Sequence, residues 1–279
     1  MNWIIRTLTS SVGKKVLMSL TGLFLVTFLI VHMVGNFQLL YPDIKSATAS
    51  FNKYAVFMTS FPLIKITSYL LYGSILFHAL LALVLTLQNK KARPTGYAID
   101  GSSEKSVFSR NMGILGTIVF VFIIVHMGNF WAKYHFGDVL PVMEADGVIY
   151  KNLYAIVATS FVVWWYSFFY IIAMLAVGFH LWHGFESGFQ TLGLRHKKYT
   201  PLVSLTSKLL AIAFIVGFSS MPLYMMARFG VENDFETAAK VVKQKSIDAG
   251  LDWKEEDWGK IDHIRSWDTI ESDKTASAE

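Results

Sequence analysis

Phe28-Leu-Ile-Val-His32-Met-Val-Gly-Asn-Phe37 and Phe122-Ile-Ile-Val-His126-Met-Gly-Asn-Phe130 are two copies of one pattern, an apolar stretch interrupted by a single histidine. Each copy lies in an apolar segment long enough to cross a bilayer, which takes about 20 helical residues. Five such segments follow one another: Val16–Leu40, Leu63–Leu87, Met112–Trp131, Ile156–Phe189 and Leu202–Ala227. They predict an all-α membrane protein, a bundle of five transmembrane helices. The fourth segment exceeds a minimal span, so it must tilt or extend beyond the hydrocarbon. Composition points the same way. Of 279 residues, 53% are hydrophobic and 16% charged, with a mean hydropathy of +0.43. A soluble domain of this length has nowhere to hide so much apolar surface. Arg6, Lys14 and Lys15 before the first segment resemble the start of a secretory signal. That segment is of span length, however, and no small-residue cleavage site follows it, so it reads as an uncleaved first helix.

Charge divides the chain in two. Residues 1–230 hold 18 Lys and Arg against 7 Asp and Glu, net +11; residues 231–279 hold 7 against 13, net −6. The reading is a five-helix membrane domain over 1–230 and a polar, acidic tail over 231–279. A short helix is expected in the tail near Phe235–Lys245, with mobile chain beyond it and no chemistry in it. The basic loops alternate. Arg6, Lys14 and Lys15 precede the first span; Lys90, Lys91, Arg93, Lys105 and Arg110 lie between the second and third; Arg195, Lys197 and Lys198 follow the fourth. The positive-inside rule then puts the N-terminus in the cytoplasm and the C-terminus outside. A basic membrane body reports loop topology, not nucleic acid. With no cysteine, structural disulfides, thiolate-held iron–sulfur clusters and covalently attached haem are excluded on this chain. No Gly-rich phosphate-binding motif is present, which argues against a nucleotide or flavin site.

Four successive spans each carry one deep histidine: His32, His78, His126 and His180. An ionisable group within a membrane is costly and needs a partner. A helix-to-helix hydrogen bond accounts for one such residue; one in each of four successive helices asks for more. Depth suggests the pairing. His32 lies 8 residues from Leu40 and His126 lies 5 from Trp131, both toward the outer face. His78 is 15 residues from Leu63 and His180 is 24 from Ile156, both toward the cytoplasm. Two facing imidazoles at one level suit a haem iron, and two such pairs make a path for electrons. One metal held by all four is disfavoured by the two levels. His183, one turn beyond His180, is a competitor for the fourth position. Gly35, Gly128 and Gly184 either admit a flat macrocycle or simply let helices pack closely. Met33 and Met127 point about 100° away from their neighbouring histidines and should not share an iron with them. Ser19, Arg110 and Arg195, near cytoplasmic helix ends, are placed to meet haem propionates, with positive-inside anchoring as the plainer role for Arg195. Glu186 is the one acidic residue within the spans, and His135, His196 and His263 read as solvated.

In the order and spacing of these pieces the chain resembles the di-haem cytochrome b membrane subunit of succinate:quinone oxidoreductases, the bacterial succinate dehydrogenases and fumarate reductases. The resemblance covers roughly residues 10–230. It rests on Ser19-Leu-Thr-Gly-Leu-Phe-Leu25, Ile30-Val-His32-Met33, Phe77-His78-Ala-Leu80, Val125-His126-Met127, Phe179-His180-Leu-Trp-His-Gly184-Phe and Phe189-Gln-Thr-Leu-Gly193. It implies two haem b groups, the proximal held by His78 and His180 and the distal by His32 and His126. It favours His180 over His183, and it matches Ser19 to a propionate contact. It further implies menaquinone as substrate near the distal haem, separate flavoprotein and iron–sulfur partner subunits, and a place in the bacterial cytoplasmic membrane as the quinone-reactive part of complex II. Asn36, Gln38, Asn129, Trp131 and Lys133 cluster at the outer end, where they either line the quinone site or are plain interface residues. Two departures stand out. Some relatives have a glutamate two residues before the fourth ligand, where this chain has Gly178, and the acidic tail is longer than the family's usual C-terminus. Two other readings compete: the cytochrome b anchor of a hydrogenase or formate dehydrogenase, and a transporter or channel that uses its histidines for protons or metal ions.

Overall fold

The computed structural model describes residues 2–92, 104–137, 139–145 and 148–257. Among them, five helices are long and apolar enough to cross a bilayer: Ser11–Leu40, Pro62–Ala92, Asn111–Phe136, Trp164–Thr191 and Thr200–Phe229. At about 1.5 Å rise per residue, spans of this length match a bilayer with its headgroups, about 40–45 Å. The chain is a mainly helical, multi-pass membrane protein. One apolar stripe, Leu76, Leu80, Leu83 and Leu87, is more than half exposed along its whole length. Residues spaced in this way share one helix face, and an exposed leucine stripe of this kind belongs against lipid.

The elements begin with α1 (Trp3–Thr9) and α2 (Ser11–Asn36), which tightens into a 3-10 turn over Phe37–Leu40. Tyr41, held extended ahead of Pro42, stops it. Asp43 then caps α3 (Ile44–Ser60) by accepting the Ser46 N–H at 2.7 Å. Phe61 is again extended before a proline, and Pro62 opens α4 (Pro62–Ala92), a position where its missing N–H costs nothing. Next come α5 (Glu104–His126), a π turn (Met127–Ala132), α6 (Lys133–Phe136), the hairpin β1 (Val139–Ala145) and β2 (Val148–Lys151), and α7 (Leu153–Val162). Then α8 (Trp164–Thr191), α9 (Thr200–Phe229), α10 (Phe235–Asp248) and β3 (Lys254–Asp257) complete the order. Gly193 ends α8 at φ 76°, a left-handed turn that brings Leu194 N–H back to the Phe189 carbonyl at 3.0 Å.

The Ser46 amide bond holds the Asp43 carboxyl below its ordinary value of 3.8. A carboxyl depressed on folding stabilises above its unfolded pKa and loses that contribution as pH falls through the folded one. The first turn of α3 should therefore fray below pH 3.8. Hydrogen exchange of the Ser46 amide, corrected for intrinsic rate, should show it, and Asp43→Asn, which caps without titrating, should abolish the pH dependence.

The structure departs from the sequence reading in two places. The fourth apolar segment is not one helix from Ile156 to Phe189 but two, broken at Val163, which is extended (φ −76°, ψ 113°). The break is made by the tail: Glu232 N–H donates to the Val162 carbonyl and Trp164 N–H to the Glu232 carbonyl, at 3.0 and 3.2 Å. The first piece, α7, is buried on nearly every side, so its sequence is as apolar as a span although it is only 10 residues long. Second, the helical architecture carries a small antiparallel sheet of order β2-β1-β3. Pro141 faces Glu255 in its register, so part of the tail past the expected helix is a strand. The tail helix itself forms over Phe235–Asp248. Residues 258–279, with His263, and Arg93 lie outside the described residues.

Two compact units can be distinguished, one of residues 1–31, 70–122 and 172–217, the other of residues 32–69, 123–171 and 218–279. Every span contributes to both. In the second unit Arg228, at the end of α9, donates to the Tyr154 and Tyr224 hydroxyls at 2.7 and 2.6 Å, to the Pro42 carbonyl at 2.7 Å and to the Tyr41 carbonyl. Lys245 of α10 in turn donates to the Arg228 carbonyl at 2.9 Å. The first loop and α7 are thereby gathered around the Arg228 guanidinium, and the tail around its carbonyl.

Candidate functional site

In the first unit, His78 of α4 and His180 of α8 face each other with ring centroids 6.4 Å apart and planes at 72°. In the second, His32 of α2 and His126 of α5 stand 5.8 Å apart at 88°. The pairs are those the depth argument selects. The broken fourth span also repairs that argument. Counted from Trp164, His180 lies 16 residues in, the same as His78 counted from Pro62.

The other ring nitrogens have partners of their own. Thr21 Oγ1 is 3.0 Å from His78 Nδ1, Tyr170 Oη is 3.3 Å from His126 Nδ1, and Asn36 Nδ2 is 3.3 Å from His32 Nδ1 while donating to the His32 carbonyl at 2.7 Å. Partners on Nδ1 hold each ring in place. His180 Nδ1 is the exception, buried without a hydrogen-bond partner. An orphaned buried nitrogen costs about 1–3 kcal/mol, so it needs a reason beyond packing.

These residues fit a porphyrin-bound iron. Ring centroids about 6 Å apart leave room for one metal ion between two imidazole nitrogens at bonds of about 2 Å. Among the described residues no group of three or more His, Cys, Asp or Glu side chains could hold a metal ion, so an ion here needs most of its ligands from elsewhere. A porphyrin supplies four. Glycines make the room: a Cβ on Gly22 would come within 3.3 Å of His78 Cε1, and one on Gly116 within 3.5 Å of His180 Cε1. Spacing along one helix does not link either glycine to a histidine, because each lies on a different helix from the one it faces.

The glycines singled out by sequence divide differently. The space beside Gly35 is filled by the Tyr54 ring and hydroxyl, so it serves close packing; a Cβ on Gly184 would meet Met112 at 3.8 Å; nothing lies within 4 Å of a Cβ on Gly128. At Gly178 an added Cβ would run into the Ile215 side chain. Ser19 is buried, with its hydroxyl donating to the Lys15 carbonyl at 2.9 Å. His183 is half-buried on α8, one turn from His180. Arg110 is on α5, and its side chain lies outside the described atoms. Arg195 is exposed beyond the end of α8.

Of the outer-end cluster, Asn129 and Lys133 line one cavity of about 430 Å³ together with Trp165, Tyr166, Phe169 and Phe235. Its walls are mostly aromatic, with one ammonium and one amide, and the tail helix provides Phe235. Asn36 and Gln38 turn back to carbonyls of their own helix, at 2.7 and 3.1 Å, and Trp131 packs on His135. Comparison with protein-family models, with curated proteins and with solved structures finds no match to this chain.

Proposed function

We propose that this chain is the membrane anchor and electron-transfer subunit of a succinate:quinone oxidoreductase, with haem b at each histidine pair. The observation that carries the reading is the pair of imidazole couples, each on two spans, at ring spacings of 6.4 and 5.8 Å. His78 and His180 hold the proximal group, His32 and His126 the distal one. A haem iron held in this way carries one electron at a time between its ferric and ferrous forms. The protein's part is to orient the imidazoles, to exclude competing ligands and to hold the substrate. The cavity beside Asn129 suits a quinone: aromatic walls stack on the ring, while Lys133 and Asn129 offer donors to its carbonyls. Menaquinone, whose ring system is bicyclic, suits so aromatic a lining. There Lys133 and Asn129 would hold the quinone carbonyls while two electrons and two protons reduce it to the quinol. With its N-terminus in the cytoplasm, the chain presents the Lys90 and Lys197 loops to an iron–sulfur subunit, which is fed by a flavoprotein that oxidises succinate or is driven in reverse toward fumarate.

The first test is a pyridine haemochrome assay on purified protein. About two protohaems per chain are expected; none would remove the basis of the proposal. Copurification with a flavin-containing subunit and haem reduction by succinate separate this assignment from a hydrogenase or formate dehydrogenase anchor. The glycine cradle gives a sharper expectation. Gly22→Val adds bulk 3.3 Å from His78 and should cost most of one haem, whereas Gly73→Ala, with nothing within 4 Å, should keep both.

A further inference from the structure

The second unit contains a polar chain that the proposed electron path does not itself require. Tyr170 Oη stands 3.3 Å from His126 Nδ1. One turn back on α8, Tyr166 shares a 3.0 Å hydrogen bond with Tyr170. Asn129 is within hydrogen-bonding reach of Tyr166 and donates to Ser160 Oγ at 2.8 Å. Both tyrosines are only 5% exposed, packed among Phe130, Phe161 and Phe169. Phenylalanine would fill the same space without burying a hydroxyl, so the two phenols invite an explanation. Tyr166 and Asn129 are also walls of the aromatic cavity. One end of the chain is thus an imidazole, the other a binding surface.

We propose that Tyr170 and Tyr166 are positioning residues that couple the His126 imidazole to the occupant of the cavity through this hydrogen-bonded chain. The inference rests on the reading of His126 as an axial haem ligand. An imidazole that gives Nε2 to iron keeps its proton on Nδ1, so Nδ1–H must donate to Tyr170. Hydroxyl hydrogens rotate to suit their partners. Tyr170 then turns its own O–H to Tyr166, and Tyr166 turns its O–H toward Asn129 and the cavity. A carbonyl that accepts from Tyr166 strengthens each bond behind it. His126 thereby becomes a stronger electron donor, which favours ferric over ferrous iron. By linkage, the redox state of that iron biases what the cavity binds.

Redox titration of the purified full chain with its haems tests this. Tyr170→Phe should retain two haems per chain and raise the midpoint potential of one of them, leaving the other in place. Tyr166→Phe should raise the same potential by less, because the direct acceptor of the Nδ1 proton remains. A purely structural role for the pair would lower haem content or disturb packing without this graded, one-sided shift. If Tyr170→Phe loses its haem, Tyr166→Phe decides alone, since its hydroxyl does not touch the imidazole: a rise supports the coupling and no shift overturns it. Unmoved potentials in both variants, with two haems bound, overturn the coupling and leave the haem assignment intact. Wild-type protein without haem overturns the assignment beneath it instead.

Discussion

Purified His78→Ala protein is expected to carry about one protohaem per chain in place of about two, with the remaining haem spectroscopically unchanged. The reason is geometric. His78 and His180 belong to one compact unit and His32 and His126 to the other, so removal of one imidazole leaves the second couple with its own helices and its own Nδ1 partners. His180→Ala should give the same loss as His78→Ala, because the two rings face one site at 6.4 Å. His183→Ala should keep both haems. Combining His78→Ala with His126→Ala should leave the protein colourless. Absorbance after pyridine treatment reads every arm. Retention of both haems in His180→Ala, or loss of one in His183→Ala, would move the fourth ligand one turn along α8.

Why these histidines were legible while other parts of the site were not follows from what local sequence encodes. A lone imidazole in an apolar run is conspicuous because its neighbours cannot satisfy it, and position along a helix translates directly into depth. The spans were legible for the same reason, as runs of residues that water would not accept. The break at Val163 was not, because α7 and α8 are both continuous in apolar sequence. What parts them is backbone pairing with Glu232, far along the chain. Tyr170 was hidden in an aromatic stretch, Trp164 to Tyr170, in which nothing local says which ring meets a histidine on another helix. Gly22 and Gly116 were hidden likewise: their significance is the imidazole across from each, which spacing along one helix cannot reveal. The sheet was missed because its third strand comes from an acidic tail segment with no alternation to announce it. Lys133 and Asn129 could be picked out as candidates for the cavity, but not the wall that α10 adds through Phe235.

Asn52→Ala is expected to destabilise the second unit by roughly 3 kcal/mol, the sum of an orphaned donor and a small cavity. Asn52 is fully buried in α3 and joins three elements. Its Nδ2 donates to Asn152 Oδ1 and to the Met143 sulfur, each at 3.0 Å, and its Oδ1 accepts the Tyr154 N–H at 3.0 Å. Asn152 Oδ1 also accepts the Ala155 N–H at 3.0 Å, which caps α7. Truncation at Asn52 leaves the Tyr154 amide, at the start of a helix buried on nearly every side, with no replacement acceptor and no route to water. Hydrogen exchange should then report opening of α7, the hairpin and α10 as a group, at temperatures where the amides around His78 and His180 stay protected. Asn52→Asp keeps the shape but turns a donor into an acceptor facing Asn152 Oδ1, and should cost more than alanine does. Asn152→Ala should fall in the same range as Asn52→Ala, and the double variant should cost less than the two single losses added together, because the bond they share is lost only once. Full additivity would mean that the two amides act separately. Unchanged exchange in Asn52→Ala would mean that apolar burial of α7 suffices to hold the unit, and that the amide network selects its register without supplying its stability.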